Sequence, residues 1–155
     1  MAHAPYPHAS DQQPPDTVGV LIVDDQPPFR VAARRLIAST PGFEFVGEAT
    51  SGEGAVTLAA TLHPDLVLMD VRMPGLGGLA AARRITAART AAAVVLVSTD
   101  PQDVPAAAAE GCGALAVIGK QQLRPSSLTA LWQRRAAGPR PPQRPSQTSA
   151  TSSTS

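Results

Sequence analysis

Val18-Gly19-Val20-Leu21-Ile22-Val23-Asp24-Asp25 is a continuous apolar run closed by two carboxylates. A half-buried strand alternates apolar and polar residues. A run without alternation is what a parallel strand covered on both faces shows. Three further runs have the same form. Leu66–Met69 ends in Asp70, Val94–Val97 ends in Ser98-Thr99-Asp100, and Ala114–Ile118 ends in Gly119-Lys120. Phe43–Glu48 alternates instead, which suits an edge or half-buried strand.

The segments between these runs carry the helical period. Pro28 suits a first helical position, with Phe29, Ala33, Leu36 and Ile37 on one face. Ala55, Leu58, Ala59 and Leu62 make a second stripe that Pro64 closes, and Leu79, Ala82 and Ile85 make a third. Ala106–Glu110 is a short fourth helix stopped by Gly111. Ser126 is expected to cap a fifth, with Leu128, Leu131 and Trp132 turned inward. Strict β-α alternation with right-handed crossovers predicts an α/β, doubly wound, three-layer sandwich.

Both flanks differ from this core. Residues 1–17 hold Pro5, Pro7, Pro14 and Pro15, and residues 137–155 are rich in Pro, Ser and Thr. Segments with so little bulky apolar surface cannot offset their ordering entropy, so a disordered head and tail are expected around one folded domain, residues 18–136.

Composition narrows the function classes. The 155 residues carry a net charge of +1 and 3% aromatics, so neither a basic face for duplex nucleic acid nor a base-stacking platform is expected. The single cysteine, Cys112, excludes an internal disulfide and reads as a small buried filler. No apolar run is long enough to span a bilayer, and the first residues lack the form of a signal peptide, so a cytoplasmic location is expected. The basic residues are twelve Arg and one Lys, Lys120.

The polar residues that close the strands carry the chemistry. In an open parallel sheet, ligands bind outside the carboxyl ends of the strands, where strand order reverses. With the order 2-1-3-4-5, Asp24, Asp25 and Asp70 should converge there, with Ser98 and Lys120 on the opposite rim. Three crowded carboxylates repel one another unless neutralised, and a hard divalent cation such as Mg²⁺ is suited to do so. A carboxylate beside such an ion can attack phosphorus and become an aspartyl phosphate. The new oxygens then need a cation and a hydroxyl, which Lys120 and Ser98 can supply.

VLIVDDQPPFR, PDLVLMDVRMPGLGGL, VVLVST and GALAVIGK together resemble a two-component response regulator receiver domain, over roughly Val18 to Ala136. The segments VDDQPPFRVAARRLI and FEFVGEATSGEGA are most similar to receivers that carry a LuxR-type helix-turn-helix output. The resemblance implies the flavodoxin-like (βα)5 fold and Asp70 as acceptor of a phosphoryl group from a histidine kinase or a phosphotransfer protein. It further implies that Asp24, Asp25, Asp70 and the backbone carbonyl of Arg72 hold Mg²⁺. Ser98 would be the switch hydroxyl and Lys120 the phosphoryl contact.

Some positions depart from that pattern. Val117 stands where a switching Tyr or Phe is usual, Thr99 where Ala or Gly is usual, Gly77 where Asp is common, and Gln121 where Pro is frequent. These positions bear on switching more than on phosphorylation. The residues after Trp132 are too few for a helix-turn-helix, so signalling through protein contacts rather than DNA is expected. The surface would be that of the fourth helix, fifth strand and fifth helix, with Leu123, Leu128 and Trp132. A second copy of the chain is a further candidate partner.

Other functions fit less well. Gly75–Ala80 satisfies G-x-G-x-x-A, but a dinucleotide fingerprint follows the first strand directly, and Asp70 would repel a pyrophosphate. A phosphatase of the haloacid-dehalogenase type would need an acid at Arg72. A phosphorylation-independent protein-binding receiver is the remaining alternative. Catalysis is expected to be limited to the domain's own phosphorylation and dephosphorylation.

Overall fold

The structure is a computed structural model that describes residues 17–88 and 91–137. Its strands are β1 (Val18–Val23), β2 (Phe43–Ala49), β3 (Leu66–Asp70), β4 (Ala93–Ser98) and β5 (Ala116–Gly119). Its helices are α1 (Pro27–Ala38), α2 (Gly52–Leu62), α3 (Gly78–Ala87), α4 (Ala106–Gly111) and α5 (Pro125–Ala137). All strand pairs are parallel, and the order across the sheet is β2-β1-β3-β4-β5.

Continuous apolar strands follow from this topology. Every residue of β1 and β3 is buried, but successive side chains enter different cores. Leu21, Val23, Val67, Met69, Val94 and Leu96 pack against the side that holds α2 and α3. Val20, Ile22, Leu66, Leu68, Val95 and Val97 pack against α1 and α5. The period of two persists, but neither face meets water. β2 lies at an edge and is mostly half-buried or exposed, as its alternating sequence suggested. Its ladder with β1 skips Val46, since Val20 pairs with Phe45 and Leu21 with Gly47, which marks a bulge.

Some local expectations need correction. Ser126 does not cap α5, because Pro125, whose fixed φ suits the first turn, starts the helix one residue earlier. Ser127 makes the capping contacts: its Oγ accepts the Arg124 amide at 3.2 Å and donates to the Gln122 carbonyl at 2.8 Å. α1 begins at Pro27, so Pro28 lies inside its first turn. β5 begins two residues later than the sequence suggested, because Gly113, at φ 84°, still belongs to the preceding turn. Leu62 is exposed, standing over Gly47 of the edge strand β2. Leu128 of α5 is 0% exposed, as its inward stripe suggested, and therefore cannot serve a docking face. Leu123 shares a groove with Phe29 and Leu36 of α1. Trp132 is half-buried, with the Arg135 guanidinium 4.6 Å from its ring centre.

Cys112 is buried, as expected of a filler. The expected head and tail lie outside the described residues except at their inner ends, Thr17 and Ala137, and Ala137 closes α5. Among the described residues no helix is long and apolar enough to cross a membrane.

Candidate functional site

β1 and β3 lie side by side at the point where chain order reverses, so their carboxyl ends open into one crevice. Asp24 and Asp25 follow β1, and Asp70 is the last residue of β3. Each of the three offers a carboxylate oxygen, and these oxygens all lie within 4.8 Å of one another. Asp24 is completely buried, Asp70 nearly so, and Asp25 is exposed. Asp24 Oδ1 accepts the Gln26 amide at 2.8 Å, which fixes the turn into α1.

Lys120 reaches across from the end of β5. Its Nζ is 2.7 Å from Asp24 Oδ2 and 3.7 Å from Asp70 Oδ1. The ammonium also stands 4.7 Å from the centre of the Phe29 ring, a cation–π contact that holds the side chain against α1. Phe29 reads from the sequence as a core residue, and only the packing of α1 against the sheet end brings it under the lysine. Arg30 was likewise silent in the sequence. Its Nη1 donates to the Asp24 carbonyl at 2.9 Å, and its Nε lies 3.5 Å from Glu48 Oε1 of β2. It therefore ties the acidic turn to the neighbouring strand.

Ser98, the last residue of β4, is buried, and its Oγ accepts the Asp100 amide at 3.1 Å. Gln26, Asp70, Arg72, Ser98, Thr99, Asp100 and Lys120 line a cavity of about 180 Å³. Four residues expected at this site, Asp70, Ser98, Lys120 and Arg72, thus share one cavity, with Asp24 and Asp25 beside Asp70. Arg72 lines the cavity, and its backbone amide donates to the Asp70 carboxylate. The all-oxygen donor set is of the kind a hard divalent cation takes.

The electrostatics single out Asp70. Burial, then the charge of Asp24, push its carboxyl up from 3.8 to about 6, against the pull of Lys120 and the Arg72 amide. A carboxyl raised in the fold favours folding fully below pH 3.8, and that contribution is lost as pH rises through about 6. At pH 7 the ionised group therefore opposes folding. Metal-free Asp70→Asn is expected to be more stable than the parent at pH 7 by about 2 kcal/mol. The gain should shrink toward zero near pH 4, as parallel urea titrations across that range would read. A constant difference at all pH values would place the effect elsewhere.

Sequence and structure comparisons agree on the relatives of this arrangement. The family profile of the response regulator receiver domain matches residues 20–132. The response regulator GacA of Pseudomonas aeruginosa is 42% identical over 86 residues, which is 56% of this chain and 40% of that protein. The nitrate/nitrite response regulator protein NarL of Escherichia coli K12 is 32% identical over 131 residues, 83% of this chain and 58% of that protein. The chain thus spans roughly half the length of the curated relatives it matches. A two-component response regulator of the LuxR family from Aurantimonas superposes with a TM-score of 0.70 at 33% identity, over 80% of this chain and 88% of the solved one.

Proposed function

This chain belongs to the response regulator receiver domain family of two-component systems, and from that premise we propose that Asp70 is the phosphoacceptor. The observation that carries the reading is the convergence at one sheet edge of Asp70, two further carboxylates within 4.8 Å, and the Lys120 ammonium at 3.7 Å. A carboxylate oxygen of Asp70 attacks the phosphorus of a kinase or phosphotransfer phosphohistidine. The P–N bond breaks, the imidazole leaves with its electron pair, and an aspartyl phosphate remains.

Lys120 then has its ammonium beside the new oxygens, where a compact point charge fits. The Ser98 hydroxyl, at the end of the adjacent strand, accepts the Asp100 amide and so keeps its own proton to donate to another of them. Asp24, Asp25, Asp70 and the carbonyl of Arg72 would hold Mg²⁺, which supplies charge neutralisation between the carboxylates and the phosphoryl group. Signal output would run through protein contacts, with Trp132 as the partly exposed aromatic of α5.

Acetyl phosphate with Mg²⁺ tests this reading by intact mass. The parent protein is expected to gain about 80 Da, the mass of one phosphoryl group. Asp70→Asn should gain nothing. An adduct that survives in Asp70→Asn would place the acceptor elsewhere.

A further inference from the structure

Two basic residues, Lys120 and Arg72, line the cavity in front of Asp70. Arg72 lies two residues beyond β3 and lines the cavity together with Thr99 and Asp100. Its Nη2 stands 3.5 Å from Asp103 Oδ2, the last residue of a one-turn 3-10 helix, Pro101–Asp103. The two side chains are 73% and 54% exposed, and an ion pair so open to water holds only weakly.

The same turn is tied to the cavity at its other end. Ser98 Oγ accepts the Asp100 amide, and the Asp100 carbonyl accepts the Asp103 amide at 2.9 Å. Pro101 lies close to Gly119, the residue before Lys120, since a Cβ on that glycine would stand 3.4 Å from Pro101 Cγ. Two polar links that hold the turn therefore start from Ser98 and Arg72, residues that both line the cavity in front of Asp70.

We infer that Arg72 is a phosphoryl-binding residue whose resting partner is Asp103, and that phosphorylation of Asp70 transfers its guanidinium from that carboxylate to the phosphoryl oxygens. This rests on the phosphoacceptor reading of Asp70. A phosphoryl group carries more charge than a carboxylate and matches the planar fork of arginine with two acceptor oxygens. Inside the cavity, water screens it less than it screens the exposed Asp103. The exchange removes one of the ties on Pro101–Asp103 and makes that turn the element that moves. It has a particular place in this chain, because Val117 on β5 has no ring to rotate in response to Ser98.

Beryllofluoride, a mimic of the phosphoryl group, provides the test. Its affinity in the presence of Mg²⁺ can be titrated by fluorine NMR on the parent, Arg72→Gln, Asp103→Asn and the double variant. Circular dichroism would check that each is folded. Arg72→Gln is expected to weaken binding roughly tenfold, the worth of a charge-assisted hydrogen bond. Asp103→Asn should tighten binding about threefold by removing the competitor, and should do nothing in the Arg72→Gln background. Equal tightening in both backgrounds would show mere long-range charge and overturn the exchange. So would an Arg72→Gln affinity within twofold of the parent, while the parent still takes up phosphoryl from acetyl phosphate. A parent that neither binds beryllofluoride nor gains phosphoryl mass would overturn the phosphoacceptor reading, and the exchange with it.

Discussion

Gly78→Ala is expected to destabilise the fold by about 3 kcal/mol or more, far beyond an ordinary surface change. Gly78 opens α3 directly behind the end of β3. A Cβ built there would overlap the carbonyl oxygen of Asp70 and stand 2.9 Å from Val71 Cα. Both neighbours are backbone, so no rotamer change relieves the clash. Either β3 or the start of α3 must move. Helix propensity favours alanine over glycine by at most about 1 kcal/mol, which is too little to offset this. Gly111→Ala is the matched control, because it lies at the end of α4 with nothing within 4 Å of a new Cβ. It should be neutral or slightly stabilising. Urea midpoints for the two variants would separate a contact effect from a general cost of losing glycine. The displaced carbonyl belongs to Asp70, so Gly78→Ala should also slow phosphoryl uptake under conditions where it remains folded.

Lys120→Met should destabilise the metal-free protein by about 3 kcal/mol. Methionine retains the apolar stem that lies against Phe29 but removes the ammonium. Asp24 is 0% exposed, and Lys120 Nζ is the cation 2.7 Å from its Oδ2. Without it a buried carboxylate faces Asp70 and Asp25 uncompensated, and the repulsion pushes the Asp70 carboxyl higher still. Mg²⁺ should recover part of the loss, since a divalent cation held by the same carboxylates replaces the missing charge. The variant is therefore expected to gain more in melting temperature from Mg²⁺ than the parent does. An equal gain in both would mean that the lysine and the metal site are energetically independent. Lys120→Arg keeps the charge but brings a broad planar group where the structure has a compact one. It should fold nearly as well as the parent while taking up phosphoryl more slowly.

The sequence alone determined the layers and the residues at the strand ends, and its resemblance to receivers implied the strand order. The reason lies in burial: strands covered on both faces must be apolar throughout, so a polar residue closing such a run marks where the strand leaves the core. Asp24, Asp70, Ser98 and Lys120 stand out for that reason. The edge strand β2 was legible from the opposite pattern. Local helix starts were less legible, because neighbouring prolines and serines offer several starts within one residue of each other. Ser126 and Ser127 have the same local chemistry, and only the carbonyl of Gln122 selects Ser127.

Tertiary structure decided what those strand ends can do together. It brought Phe29 beneath the ammonium of Lys120, attached Arg30 to the carbonyl of Asp24, and set Arg72 against Asp103. It also decided between the two places expected of Leu128, burying it with the inward stripe of α5 and removing it from the docking face. The physical reason is range. Periodicity reports whether a position meets water, a property set by its own helix or strand. A distance of 2.7 Å between Lys120 and Asp24 joins residues almost a hundred positions apart. That distance exists only because β1, β3, β4 and β5 lie side by side and end at the same edge.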